Sequence, residues 1–190
     1  MRILHVALAG AFWSVISVLG CSAAQAENLL PQASAVSLVP QTHIRVYFTP
    51  GDSAESAIVE QLLGAKESIL VQAYSFTNPA IAAALVDARS RGVNVVVLLD
   101  KSQRSQKYSA ADFTVNAGVT TLIDDRHAIA HNKIMIIDGQ VVITGSYNFT
   151  RAAEKSNAEN LVIIESGAVA DKYLANWQKH RRHSQPYQGR

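Results

Sequence analysis

The stretch that most constrains this chain is His131 to Thr150, HNKIMIIDGQVVITGSYNFT. Two β-branched, apolar runs, His131 to Ile137 and Gln140 to Gly145, flank Asp138-Gly139. An Asp-Gly pair between such runs predicts a β-hairpin, because a type I′ turn needs positive φ at both central positions. With that turn, Ile137 faces Gln140, Lys133 faces Thr144 and His131 falls opposite Ser146. Side chains alternate along a strand, and directly opposed residues share a face. His131, Lys133, Ser146 and, one step past the strand end, Asn148 are therefore expected on one side. Ile134, Ile136, Val141 and Ile143 are expected on the other, as core. An imidazole, an ammonium, a hydroxyl and an amide on one small patch make a phosphate site. Asp138 belongs to the turn, away from that patch.

The spacing itself is informative. His131-x-Lys133, four residues, Asp138, six residues, then Gly145-Ser146-x-Asn148 resembles the signature of the phospholipase D superfamily. The likeness continues to Ala158-Glu159-Asn160 ahead of an apolar strand. In that respect the chain is most similar to the superfamily's small bacterial endonucleases, which carry one copy of the motif. Taken singly, His131 reads as a half-buried strand-end residue, Lys133 as a snorkelling side chain, Ser146 and Asn148 as turn formers, and Glu159 as a surface carboxylate. Five positions at fixed spacing on a predicted hairpin carry far more than a lone H-x-K.

The resemblance implies a chemistry. His131 is the expected nucleophile, forming a phosphohistidine that water hydrolyses. Lys133 and Asn148 are expected to bind phosphoryl oxygens in the place of metal ions, with Ser146 donating to the same oxygens. Glu159 is expected to hold the other ring nitrogen of His131. Asp138 matches the motif, with a turn and hydrogen-bonding role. No second H-x-K occurs, since His43-Ile44-Arg45 lacks the lysine. Larger members build one site from two motifs, so one copy implies a homodimer in which the partner's His131 serves as the acid.

Order along the chain sets the expected fold. His43 to Phe48 and Ser68 to Tyr74 read as strands, with a helix from Asp52 or Ser53 to about Lys66 burying Ile58, Leu62 and Leu63. Asn78-Pro79 opens a helix that Gly92 stops. Val93 to Leu99 is a near-continuous apolar strand of the doubly buried kind. A short helix ending at Ala117-Gly118, a strand Val119 to Ile123, the hairpin, a strand Asn160 to Ile164 and a helix Ala168 to His183 complete the series. Tyr173, Leu174 and Trp177 at helical spacing are expected core contacts. The alternation predicts an α/β fold, a mixed β-sheet sandwiched between helices.

Residues Met1 to Ala26 read as a secretory signal: Arg2, an apolar run from Ile3 to Leu19, and Ala24-Gln25-Ala26 as the cleavage site. A second reading makes Val18-Leu19-Gly20-Cys21 a lipoprotein box anchored at Cys21. Residues 27–42, with two prolines, form a lead-in, and 43–190 the single domain. Cleavage after Ala26 removes the only cysteine, so the domain's stability rests on packing without a disulfide. It also removes Arg2, leaving 16 Lys and Arg against 15 acids, a net charge of +1. A balance that mild announces no nucleic-acid binder, so affinity for one must come from a local patch.

Three polar clusters compete for attention. Asp124, Asp125, His127 and His131 could hold a divalent ion, but a solvated loop with local ion pairs is the preferred reading. Lys179 to His183 reads as the cationic end of a helix. Gln103 to Lys107 is a polar loop whose Arg104 could meet a phosphate backbone. The expectation is a periplasmic or secreted, metal- and cofactor-independent endonuclease acting on DNA, with RNA left open and no stable membrane association. A phospholipase acting on lipid head groups and a non-catalytic backbone binder are the alternatives.

Overall fold

A computed structural model describes residues 42–190. The expected signal, Cys21 and nearly all of the lead-in lie outside the described residues. The order is β1 (His43–Thr49), α1 (Ala54–Gly64), β2 (Ser68–Ala73), α2 (Pro79–Ser90), β3 (Asn94–Asp100), a 3-10 turn (Lys101–Arg104), α3 (Ala111–Asn116), β4 (Thr120–Asp124), β5 (Lys133–Ile137), β6 (Val141–Gly145), α4 (Arg151–Lys155), β7 (Glu159–Glu165), α5 (Gly167–Arg181) and β8 (Gln185–Pro186). All eight strands among the described residues join one sheet in the order β1-β7-β6-β5-β2-β3-β4-β8. β2, β3 and β4 run parallel, and every other pairing is antiparallel.

Each face of this sheet has its own core. On one, α1 and α2 bury Ile58, Leu62, Ile81 and Leu85 against Val71, Val97 and Met135. On the other, α5 lays Val169, Ala170 and Trp177 over Leu98, Ile136 and Val142, and Trp177 Nε1 donates to Val71 O at 3.0 Å. The architecture is the helix-sandwiched mixed sheet that the residue pattern predicts. Asn78 caps α2 as expected, its Oδ1 accepting from the N–H groups of Ala80 and Ile81. β3 is buried from Val95 to Asp100. Leu63 departs from expectation: it is 52% exposed, one position around α1 from the fully buried Leu62. The short elements α4, β8 and the 3-10 turn carry too little periodicity to be read from sequence.

The central hairpin forms, but in a different register. Asp138 and Gly139 have φ of 52° and 62°, and Gln140 N donates to Ile137 O at 3.0 Å, so the turn is of the expected hand. Pairing nevertheless resumes one residue later. Ile137 faces Val141 and Ile134 faces Thr144, because Gln140 stays in the turn and its carbonyl accepts instead from Ser166 N at 2.8 Å. One residue of slip exchanges the two faces of β6. Val142, not Val141 or Ile143, joins Ile134 and Ile136 under α5, while Ile143 packs with Met135 on the opposite side.

Candidate active site

Strand directions bring the carboxyl ends of β1, β2, β3, β4 and β6 to the same end of the sheet as the amino ends of β5 and β7. His131 stands there, exposed, two residues ahead of β5 rather than within it. Lys133, the first residue of β5, is only 7% exposed. Its Nζ lies 3.1 Å from His131 Nδ1 and donates to His131 O at 2.8 Å. Burial holds the Lys133 ammonium below the ordinary lysine range, with the Glu159 carboxylate pulling the other way. Tyr74, just past β2, closes the third side: its ring centroid is 4.6 Å from that of His131 and 5.2 Å from Lys133 Nζ.

The extra hairpin residue puts Gly145, not Thr144, beside Lys133. A glycine is required there. Its φ is +148°, and a Cβ would stand 2.2 Å from Asn160 O. That carbonyl is crowded because it accepts from both Ser146 N and Tyr147 N, at 3.0 and 3.2 Å. Ser146 Oγ in turn accepts from Asn160 N at 3.0 Å, tying β6 to β7 while keeping its proton for another acceptor. The loop beyond is held from below. Tyr147, fully buried, donates to Glu154 Oε2 at 3.0 Å, and Glu154 accepts from Glu55 N at 2.9 Å. Burial and the Glu154 charge push the Tyr147 phenol far above its ordinary value, so it stays a donor. On this support sits Asn148, whose Oδ1 is buried and has no hydrogen-bond partner among the described residues. An amide flip is isosteric, so the same position can present an N–H to an incoming anion.

Of the remaining expected site residues, Glu159 lies elsewhere than its role would need, whereas Asp138 takes the turn and hydrogen-bonding role expected of it. Glu159, at the start of β7, bonds to the Asn157 amide at 3.0 Å; the group that meets the His131 ring nitrogen is Lys133, and Glu159 acts on Lys133 by charge. Asp138 follows the far end of β5, about 17 Å from Lys133 at the rise of an extended strand. There its carboxylate accepts from Lys66 N, Glu67 N and Ser68 N at 2.8–2.9 Å. Arg104 is exposed, 4.0 Å from Asp125 Oδ2. Its neighbour Gln103 is buried, accepting from Phe76 N and Ser109 Oγ, so the expected polar loop is a folded turn.

The competing metal set is divided. His131 belongs with Lys133, and Asp125 is exposed. Asp124, read from sequence as part of a solvated loop, has a fully buried side chain ringed by His127, His180 and His183. Burial raises its carboxyl, and the imidazole hydrogen bonds outweigh that and hold it below the usual range. The run Lys179 to His183 does form the basic end of α5, with His180 and His183 turned onto Asp124. Two residues that the sequence does not single out also matter. Tyr74 reads only as the last residue of an apolar strand. Asp100, buried at the end of β3, accepts from Ala130 N at 2.7 Å and fixes the approach to His131.

A groove of about 510 Å³, lined by Thr77, Pro79, Tyr108, Ser109 and Arg151, runs beside the Asn148 loop. Thr77 N donates to Phe149 O at 3.0 Å, which joins the two.

Known proteins resemble this chain in sequence and fold. The sequence profile described as cardiolipin synthase, PLD-like domain, matches residues 58–181. A phospholipase D of Rickettsia bellii is 44% identical over 142 residues, which are 75% of this chain and 71% of that protein. A mitochondrial cardiolipin hydrolase of Xenopus laevis is 34% identical over 128 residues, 67% of this chain and 61% of that protein. The crystal structure of the phospholipase D family member Nuc from Salmonella typhimurium is similar with a TM-score of 0.75 and 36% identity, over 78% of this chain and 100% of that one. With a buried lysine against an exposed histidine on the motif hairpin, and with these matches, the chain belongs to the phospholipase D family, as a hydrolase of phosphodiester bonds.

Proposed function

We propose that this phosphodiesterase is an exported endonuclease that cuts DNA, with RNA as a second polymer, through a phosphohistidine on His131 and without a metal in the reaction. One observation carries the reading: a buried ammonium, Lys133, is pressed against the imidazole of His131, and among the described residues no carboxylate bonds to it. Before substrate arrives, Lys133 occupies the Nδ1 lone pair. A phosphodiester, fully charged, is the stronger acceptor, so its arrival draws the ammonium onto a phosphoryl oxygen and frees the ring. Asn148 and Ser146 add neutral donors to the same anion. The imidazole nitrogen attacks phosphorus, an N–P bond forms, and the P–O bond to the leaving alcohol breaks. A second histidine protonates that oxygen and later takes a proton from the water that cleaves N–P.

One chain supplies one such histidine, so the reading includes a homodimer with the partner's His131 as the acid. Exposed Phe48 and Ile129, at the same end of the sheet, suit a surface that a second copy covers. The nucleic-acid assignment draws on the groove beside Asn148. Tyr108 is 72% exposed there and Arg151 is exposed, a ring for stacking bases and a guanidinium for a phosphate backbone. The resemblance to single-motif endonucleases and the full coverage of Nuc agree with it. Export rests on the leader at residues 1–26.

A lipid phosphodiesterase is the second reading, favoured by the phospholipase D and cardiolipin hydrolase names of the relatives. Among the described residues no helix is long and apolar enough to cross a membrane.

The test is nicking of supercoiled plasmid by wild-type protein and His131→Ala, in excess EDTA and at a temperature where circular dichroism shows both folded. Cleavage that survives EDTA and disappears with His131→Ala is the expected result. Loss in EDTA with the fold intact, restored by a divalent ion, overturns the metal-free chemistry. Turnover of cardiolipin or phosphatidylcholine vesicles without plasmid nicking moves the assignment to the second reading.

A further inference from the structure

The cluster around Asp124 is built from two distant stretches. Asp124 ends β4, His127 follows in the loop toward His131, His180 sits in the last turn of α5 and His183 just beyond it. Asp124 Oδ2 lies 3.0 Å from His127 Nδ1 and 2.8 Å from His180 Nδ1, and Oδ1 lies 3.2 Å from His183 Nε2. The three rings gather within 5.5 Å of one another, centroid to centroid. The carboxylate is wholly out of water, whereas the rings are 44%, 14% and 19% exposed.

Hydrogen bonding alone leaves this cluster incomplete. Among the described residues, His183 Nε2 is buried without a hydrogen-bond partner despite its approach to Asp124, and an unmet buried nitrogen of that kind is unfavourable. A cation that accepts lone pairs from three imidazoles and one carboxylate removes the deficit. One ligand atom from each of the four residues can be chosen so that all lie within 4.8 Å of one another. A tetrahedral zinc site, with bonds of about 2.0–2.1 Å, asks for separations of about 3.3–3.5 Å. Small rotamer changes bridge the difference. Three nitrogens and one oxygen, with no fifth residue among those described, form a closed, zinc-type set rather than an oxygen-rich calcium or magnesium site. Outer contacts are in place too: Arg126 N donates to Asp124 Oδ1 at 3.1 Å, and Lys101 Nζ to His127 O at 3.0 Å.

We propose that Asp124, His127, His180 and His183 form a structural site for a divalent transition metal of the zinc class, which clamps the end of α5 onto the loop that carries His131. The metal takes no part in phosphodiester cleavage, and the site stands whether the substrate is a nucleic acid or a lipid.

The experiment uses protein purified without a histidine tag, stripped with chelator and titrated with Zn²⁺. It reads bound metal by mass spectrometry, the thermal midpoint, and the visible spectrum after Co²⁺ loading. One equivalent of zinc, a tetrahedral Co²⁺ band, and a midpoint rise of about 5–10 °C at free zinc a hundredfold above Kd are expected. In His180→Gln/His183→Gln the stoichiometry and the rise are lost. His127→Gln changes an exposed ring, so it tests the site in a folded protein; it should weaken binding at least about tenfold, since even loss of a partner outside the ligand set costs about that much. Absence of binding by the wild type overturns the proposal. So does binding that persists unchanged in both variants, which would place the zinc elsewhere. Activity is not a readout, so failure here and failure of the nuclease reading remain distinguishable.

Discussion

The two ends of the β5–β6 hairpin treat their charges in opposite ways. At the turn, the Asp138 carboxylate is saturated, with three backbone N–H groups at hydrogen-bond distance and none of its charge left to offer. At the open end, among the described residues, Lys133 is buried yet bonded only to His131, and Asn148 holds a buried amide oxygen without a partner. The same motif spans both ends. One end builds the scaffold and the other keeps unspent hydrogen-bonding capacity for an anion. A saturated charge contributes to stability; an unsaturated one is available to a substrate.

If that division is right, Lys133→Met breaks function and spares the fold. The methionine refills the buried stem volume and removes the donor, so kcat should fall about 10²- to 10³-fold with the thermal midpoint unchanged or higher. Kinetics beside calorimetry on the one variant decide it. A falling midpoint would mean that Lys133 belongs to the scaffold.

Gly145→Ala probes scaffold at the functional end. A Cβ cannot avoid Asn160 O, and φ of +148° is unsuited to alanine. Backbone strain of that kind costs about 1–3 kcal/mol before the overlap is counted, so a loss of about 3 kcal/mol or more is expected, seen as a lower denaturant midpoint. Activity per folded molecule should fall as well, since the shifted carbonyl carries Ser146 and Tyr147 with it. A variant as stable as wild type would show that the β6–β7 contact is looser than its geometry.

The turn end supplies the converse. Asp138→Asn keeps the residue's tolerance of positive φ but turns an amide donor toward backbone donors. The position is half exposed, so about 1–2 kcal/mol is the expected loss, with kcat unchanged. The backbone hydrogen bonds outweigh burial and hold this carboxyl below its ordinary value in the fold. Its contribution is therefore complete above the unfolded-state pKa and fades as pH falls through the lower, folded one. Wild type and variant should accordingly converge in stability in strong acid and diverge toward neutrality. A constant gap at all pH values would remove the charge from the explanation.

How much of this was legible in the residues follows the same division. The hairpin, its turn hand and the sandwich architecture were readable, since Asp138-Gly139 and the alternation of apolar runs leave few alternatives. The register was not. Val141-Val142-Ile143 is apolar at every position, so no polar face marks which residues point where, and a slip of one leaves the pattern satisfied. What fixes it is Gln140 O bonding to Ser166 N, 26 residues on. The Asp124 cluster was half legible for a similar reason: its carboxylate and first histidine lie three residues apart, but the ligands beside them come from the far end of α5. Tyr74 carries no sequence mark of its role.

The smallest effect expected tests the link between Lys133 and Glu159. Burial depresses the Lys133 ammonium and Glu159 partly restores it. If the protonated lysine binds the phosphoryl oxygen, activity declines on the alkaline side as that proton is lost. Glu159→Gln removes the restoring charge and nothing from the lysine's burial. The alkaline limb of the pH–rate profile should then move to lower pH, with the plateau rate little changed. A carboxylate that oriented the His131 ring would instead depress the plateau and leave the alkaline limb where it was. The two outcomes separate a charge acting through Lys133 from a partner of the imidazole, and the 3.0 Å bond that Glu159 already makes to Asn157 favours the first.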